Sequence, residues 1–381
     1  MRLKRLSFLT LGHMTSDFYP GMLSPLLPLL LDRYGLSMTM AGVLVMVIQI
    51  FSNLTQPVIG ILNDKRPLKS FLWMGLLISA IPFGFLLEFK RLELMVITLA
   101  ISGIGVGMYH PVAAVAAGLN AREDRRGISM AYFSSGGSVG FMIAPLIVVF
   151  VVETIGEHYL PLVILPALIM TIYFIFNRDI VVSEGHRLSP HEWFTALMGS
   201  KRELTILWLV SSLRAMTYVL VSSFLPLLAM ARGSSYVTSN YILSVSLLAA
   251  IVGMFIGGHM SDIHGGRKIM SITLLISSPL LFAFLKTSGI FSVILLLMSM
   301  GALSSTIPVN IVLAQRAAPK HSGMASSLVM GLSFALGALA APPFGALADR
   351  IGIESAMKVI LFIPVLGGLL VFLLRKECYN S

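Results

Sequence analysis

Residues 12–21 read Gly-His-Met-Thr-Ser-Asp-Phe-Tyr-Pro-Gly inside an apolar run, 6–31. His13 and Asp17 are four residues apart, so a helix stacks them on one face. An imidazole beside a carboxylate can hold and pass a proton, because histidine changes charge near neutral pH. A carboxylate taken out of water favours its protonated form, and a nearby cation reverses that preference. His110, followed by Pro111 in a second apolar run, is the third candidate for the same relay. An ionisable group at the centre of a bilayer costs about 2.5–3.5 kcal/mol on insertion scales, so such groups are expected to serve function.

A structural alternative exists for each of these residues. His13 and Asp17 could form a hydrogen-bonded link between helices, and His110 could cap a carbonyl that Pro111 leaves free. Arg214, alone in an apolar run, is a candidate anchor for an anionic substrate or a partner for Asp17 in one conformation. Asn310, Gln49 and Asn53 are further substrate candidates, although an amide in a membrane helix more often ties helices together. Zinc could be held by His13, Asp17 and His110 only if three side chains converge, and residue type alone does not establish that. No metal or other cofactor is expected. A hydrolase built on His13, Asp17 or Ser135 is disfavoured, since the one GxSxG match, Gly136–Gly140, falls inside an apolar membrane run rather than on a strand-to-helix turn, and the chain has no HExxH helix. It has no phosphate-binding loop, so energy must come from a gradient.

Residues of this kind need a scaffold, and composition identifies it. Of 381 residues, 56% are hydrophobic and 12% are charged, and the mean hydropathy is +0.90. A soluble domain carries about 25% charged residues, so lipid is the expected solvent. Apolar runs fall at 6–31, 41–62, 68–88, 92–119, 128–152, 158–177, 203–230, 238–260, 267–286, 289–316, 322–348 and 353–374. They are numbered here as spans 1 to 12, each long enough to cross a bilayer. The first is too long for a signal-peptide core, contains Asp17 and is followed by no cleavage site. Cys378 is the only cysteine, which excludes an internal disulfide or a cysteine metal site.

With the N-terminus inside, 19 Lys and Arg lie in inner loops and 7 in outer ones, with Arg214 within a span. This bias places both termini in the cytoplasm of a cell-membrane protein. It also accounts for the net charge of +10 through contact with anionic headgroups, without nucleic acid. The longest loop, 178–202, divides six spans from six. Its segment 191–198, with Trp193 and Phe194, suits a short interfacial helix. The expected domains are therefore 1–177 and 203–381, joined by a cytoplasmic loop.

The halves repeat at an offset of 196–198 residues: Pro28 meets Pro226, Gly60 and Asp64 meet Gly258 and Asp262, Pro111 meets Pro308, and Gly140 and Pro145 meet Gly337 and Pro342. Asp17 maps in the same way onto Arg214. Two parallel six-helix repeats with a site near the bilayer midplane form a transporter architecture.

The chain resembles the major facilitator superfamily. The signature after span 2 reads Gly60-Ile-Leu-Asn-Asp64-Lys65-Arg66-Pro67, with partial copies at 258–268 and 345–352. Within that family it is most similar to the fosmidomycin-resistance exporters, through His13-x-x-x-Asp17, Gln56-Pro57-x-x-Gly60, Gly103-x-Gly105 before His110-Pro111, and Gly136-Gly137-Ser138-Val139-Gly140. An acid and an arginine expected after the His-Pro pair are absent, so substrate identity does not carry over. The resemblance implies that Asp64 meets the N-terminus of span 11 when the cytoplasmic side is shut. Lys65, Asp262 and Arg122 belong to the same expected gate, with Arg125 and Arg126 bracing it. Small residues in spans 5 and 11 suit close, sliding contacts, and Gly140-x-x-x-Ala144-Pro145 partly matches an antiporter motif.

The expectation is an all-α membrane protein of twelve helices in two bundles. It would act as a proton-coupled transporter, not an enzyme, exporting a small polar or anionic compound as a monomer. The alternative is uptake by proton symport on the same fold.

Overall fold

A computed structural model of the chain describes residues 2–121, 126–177, 180–182, 201–318, 325, 326 and 328–374, with backbone alone at 2, 3, 126 and 127. Among the described residues there is helix and no strand. Eleven segments are long and apolar enough to cross a membrane. They are Met38–Lys65, Phe71–Glu88, Leu92–Asn120, Ile128–Ile155 and Glu157–Phe176 (spans 2 to 6), then Lys201–Ala231, Tyr236–His264, Gly266–Lys286, Gly289–Ala317, Leu328–Ile351 and Ile353–Leu373 (spans 7 to 12). Span 1 is one helix of 33 residues, Arg2–Tyr34, with Pro20, Pro25 and Pro28 inside it. It is long enough to cross, but its apolar run is broken by His13, Thr15, Ser16, Asp17 and those prolines.

Helix is the form that lipid permits here, because each span satisfies its own backbone. Local signals set the ends. Ser37 caps span 2 by accepting from the amide of Met40 at 3.2 Å. Gly265, at φ 87°, makes the left-handed turn between spans 8 and 9. Arg202 and Arg267 both donate to the last carbonyls of span 12, at Leu373 (3.3 Å) and at Val371 (3.3 Å) and Phe372 (2.5 Å). They cap a helix C-terminus with positive charge as well as contributing to the loop bias. Large apolar side chains such as Phe176, Ile290 and Phe362 are exposed, a surface that suits hydrocarbon rather than water.

The chain divides into two compact units, 1–187 with 234–244, and 188–233 with 245–381. In the first unit, span 1 packs along span 5, and span 4 packs on spans 2 and 3. In the second, span 9 packs on span 10, and span 7 on spans 11 and 12.

The internal repeat reaches individual hydrogen bonds. Ser102 of span 4 donates to the Ser79 carbonyl of span 3 at 2.9 Å, and Ser299 of span 10 donates to Ser277 of span 9 at 2.8 Å. Tyr109 of span 4 donates to the Leu9 carbonyl of span 1 at 2.9 Å. Asn310 of span 10 donates to the Leu207 carbonyl of span 7 at 3.2 Å. In each half, a side chain of the fourth helix is tied to the backbone of the first at the equivalent level.

Candidate functional site

Span 1 carries His13 and Asp17 on one face, as their spacing requires, and span 4 brings His110 to them. His110 Nε2 lies 2.8 Å from Asp17 Oδ1, and His13 Nε2 lies 3.4 Å from Asp17 Oδ2. The two imidazoles meet edge to face with centroids 4.9 Å apart. The side chains are 24% exposed for Asp17, 18% for His110 and 11% for His13, so the cluster is largely but not wholly sealed.

The other ring nitrogens fix the chemistry. His13 Nδ1 lies 2.9 Å from the Phe133 carbonyl, and His110 Nδ1 lies 3.0 Å from the Val106 carbonyl. A carbonyl only accepts, so both Nδ1 atoms carry hydrogen. In a neutral ring Nε2 is then a bare lone pair, and both Nε2 atoms face one carboxylate. Two acceptors 2.8 Å apart repel unless a proton lies between them. The His110–Asp17 contact therefore holds a shared proton, as imidazolium with carboxylate or as imidazole with carboxylic acid. His110 bonds the Val106 carbonyl, not the Gly107 carbonyl that the missing N–H of Pro111 leaves free, so it does not fill the alternative role read from its place before Pro111. Its second nitrogen belongs to Asp17.

Span 5 closes the cluster. Phe133 stacks on His13 with centroids 4.5 Å apart and supplies its carbonyl acceptor. Gly137 lies directly over the pair: a methyl group there would overlap Asp17 Oδ2 and come within 2.7 Å of His13 Nε2. Gly140 similarly lets span 5 rest on the Met14 carbonyl. The small residues of span 5 are thus spent against span 1 of the same unit.

The remaining candidates have distinct settings. Arg214 is 3% exposed, and its Nε and Nη1 have no hydrogen-bond partner. Among the described residues no carboxylate pairs with it, and its guanidinium lies 5.0 Å from the centre of the Phe334 ring. Asn310 is buried and ties span 10 to span 7, with Oδ1 left unpartnered. Its contact at Leu207 is two turns of span 7 from Arg214, roughly 10 Å along the axis, so it does not share that group's immediate surroundings. Gln49 and Asn53 bond to each other along span 2, through the Gln49 carbonyl at 2.8 Å and its Oε1 at 3.3 Å. Ser135 donates to the Tyr132 carbonyl of its own helix at 2.8 Å, an ordinary local bond rather than an activated nucleophile.

At the end of span 2, Asp64 is half-buried with no hydrogen bond or ion pair among the described residues, while Lys65 and Asp262 are exposed. Arg122 and Arg125, the side chain of Arg126 and the segment 191–198 lie outside the described residues. The residue doing structural work there is Asn63, fully buried. It donates to the Val182 carbonyl at 2.6 Å and accepts from the Leu68 amide at 3.0 Å. Asn120 of span 4 donates to Val181 at 3.1 Å. The polar character of both amides was visible in the sequence, but not the segment that they hold.

The comparisons with known proteins agree with this architecture. The model of the Major Facilitator Superfamily matches residues 9–327 and 207–377. The fosmidomycin resistance protein of Escherichia coli (strain K12) is 26% identical over 379 residues, covering 97% of this chain and 92% of that protein. The transporter YfnC of Bacillus subtilis (strain 168), of the same superfamily, is 27% identical, covering 96% and 91%. Among solved structures, a bacterial homologue of the human lysosomal transporter Spinster, inward-facing and occupied, superposes with a TM-score of 0.85 at 15% identity, covering 100% and 98% of the two chains. A peptide transporter, POT, in complex with sulfate gives 0.79 at 15% identity, covering 98% and 95%. Eleven apolar membrane-length segments beside the 33-residue first helix among the described residues, a repeat legible down to single hydrogen bonds, and a family model matched along most of its length show that this chain belongs to the Major Facilitator Superfamily of membrane transporters, not to a class of enzymes.

Proposed function

We propose that this transporter is a proton-coupled antiporter that exports a small anionic solute by alternating access. The observation that carries the reading is the His13–Asp17–His110 cluster, whose geometry requires a shared proton. A carboxylate with an imidazole on each side can release that proton when water reaches it and regain it when resealed, and hydration and partners both change in an alternating-access cycle. Arg214 supports the anionic substrate, since a buried guanidinium without a counter-ion is costly unless a ligand supplies one. Asn310 Oδ1 offers a further polar contact, while Gln49 and Asn53 would have to exchange their mutual bond for substrate. Asp64, with Lys65, Asp262 and Arg122, would form the cytoplasmic gate. The Lys and Arg bias supports both termini inside, and a monomer suffices for the cycle. Export of a fosmidomycin-like compound is supported by the 26% identical resistance protein.

The test is proton flux in inverted vesicles, acidified inside, with fosmidomycin and a panel of small anions added in turn. The wild type is run beside Asp17→Asn. A compound that collapses the pH gradient only in the wild type establishes antiport with Asp17 as carrier. Equal responses in both proteins would overturn the role of Asp17. Substrate-driven movement of protons in the same direction as the solute would replace antiport with symport.

A further inference from the structure

The geometry assigns His13, Asp17 and His110 a second ligand: a divalent transition-metal ion of zinc type, bound by the two Nε2 atoms and one oxygen of Asp17. The three donor atoms lie within 4.8 Å of one another. They come from two helices, one carrying two of them a single turn apart, so the backbone fixes their directions. Zinc takes imidazole nitrogen and carboxylate oxygen at about 2.0–2.2 Å, so tetrahedral neighbours are about 3.4 Å apart. His13 Nε2 and Asp17 Oδ2 already have that separation, 3.4 Å. His110 Nε2 lies 2.8 Å from the other oxygen, Oδ1, so the two rings reach opposite oxygens of one carboxylate. An ion bound by a single oxygen would replace the His110–Oδ1 contact and draw the donors, now within 4.8 Å of one another, inward by a modest side-chain shift.

The outer contacts point the same way. A histidine that ligates a metal donates its other ring N–H to a carbonyl or carboxylate, which fixes the tautomer and aims the lone pair. Both rings have this arrangement, His13 through Phe133 and His110 through Val106. A link between helices requires only one aimed nitrogen, but here two converge on one carboxylate. Two imidazoles disfavour magnesium and calcium, which prefer oxygen, and favour zinc, cobalt, nickel or copper. Three protein ligands leave an open position, as in zinc sites that accept an exogenous ligand.

The inference rests on ligand geometry and stands apart from proton coupling. The full chain, free of any histidine tag and stripped with chelator, is titrated with zinc by calorimetry and with cobalt by visible absorption. The expected result is one saturable zinc site per chain and the intense d–d bands of low-coordinate cobalt. Affinity should fall tenfold or more in each of Asp17→Asn, His13→Gln and His110→Gln, and stay unchanged in His158→Gln, His259→Gln and His264→Gln. Melting and elution profiles show whether each variant is folded. A variant that does not fold is replaced by Gly137→Ala, which perturbs the same donors without removing one. Absence of a saturable site in the wild type, or a site that survives all three ligand substitutions, overturns the assignment. Zinc binding without proton flux would keep this inference and remove the coupling reading; the reverse result would do the opposite.

Discussion

His110 of span 4 and Asp17 of span 1 are joined by a 2.8 Å contact between Nε2 and Oδ1, although the residues are 93 positions apart. The contact crosses between helices, so it reports their spacing as well as a proton's position. His110→Gln preserves a donor toward Asp17 but cannot gain or lose a proton. Such a charge-assisted bond contributes about 1.5–3 kcal/mol, and a neutral amide retains part of that. The expected outcome is a protein that melts within a few degrees of the wild type, with substrate-driven proton flux reduced tenfold or more. Flux at the wild-type level would place the transferred proton elsewhere.

Gly137 offers a test that changes no charge. A methyl group at this position overlaps Asp17 Oδ2 and crowds His13 Nε2, and overpacking of this kind costs about 1–3 kcal/mol. Gly140→Ala imposes a comparable clash on the Met14 carbonyl, one turn away from the cluster. Both variants should melt at lower temperature. Only Gly137→Ala should also displace the carboxylate, so proton flux per folded molecule should fall further in it than in Gly140→Ala. Equal losses would mean that general packing of span 5 on span 1 governs both.

These two positions show how far the sequence is legible. The helical spacing of His13 and Asp17, the charge of Arg214 in an apolar run and the repeat offset are properties of side chains, and periodicity exposes them. The Phe133 carbonyl is a main-chain atom, and no residue type announces which carbonyl a distant imidazole will find. The place of Gly137 over the cluster follows from how closely two helices approach, which glycine permits but does not dictate. Asp64 carries the recognisable motif, whereas its neighbour Asn63 has no sequence signature and yet holds the more extensive bonds. That Arg214 lacks an acidic partner is equally a property of packing: the sequence contains 17 acids, and only the fold shows that none pairs with it among the described residues.

Arg214 yields a prediction in which function and stability move in opposite directions. A buried cation with two unpartnered donors costs free energy, and replacing a buried charge with an apolar side chain of similar volume is often neutral or stabilising by about 1–4 kcal/mol. Arg214→Met should therefore melt at or above the wild-type temperature while losing transport of anions. Arg214→Lys should retain partial transport, since it keeps the charge but loses the planar fork. Melting curves and vesicle flux on the same preparations check this. A marked loss of stability in Arg214→Met would identify the residue as a structural ion and remove it from the substrate path.

The amides below the cluster give a final, purely energetic prediction. Asn63 and Asn120 both bond to the short segment at 181–182, whose Val182 side chain is buried. Asn63→Leu would leave the Val182 carbonyl and the Leu68 amide unpaired, at about 1–3 kcal/mol for each buried group. Asn120→Leu loses a bond to Val181 and one to Ala116 of its own helix, with smaller effect because Ala116 keeps its helical register. Once either amide is removed the segment can leave its seat, so the second removal should cost less than it does alone. Groups that share a partner are coupled in this way by about 0.5–3 kcal/mol. The double variant should therefore be less destabilised than the two single variants added together, as read from melting in detergent. Strict additivity would show that the two amides act on independent parts of the structure and that the segment is not held as a unit.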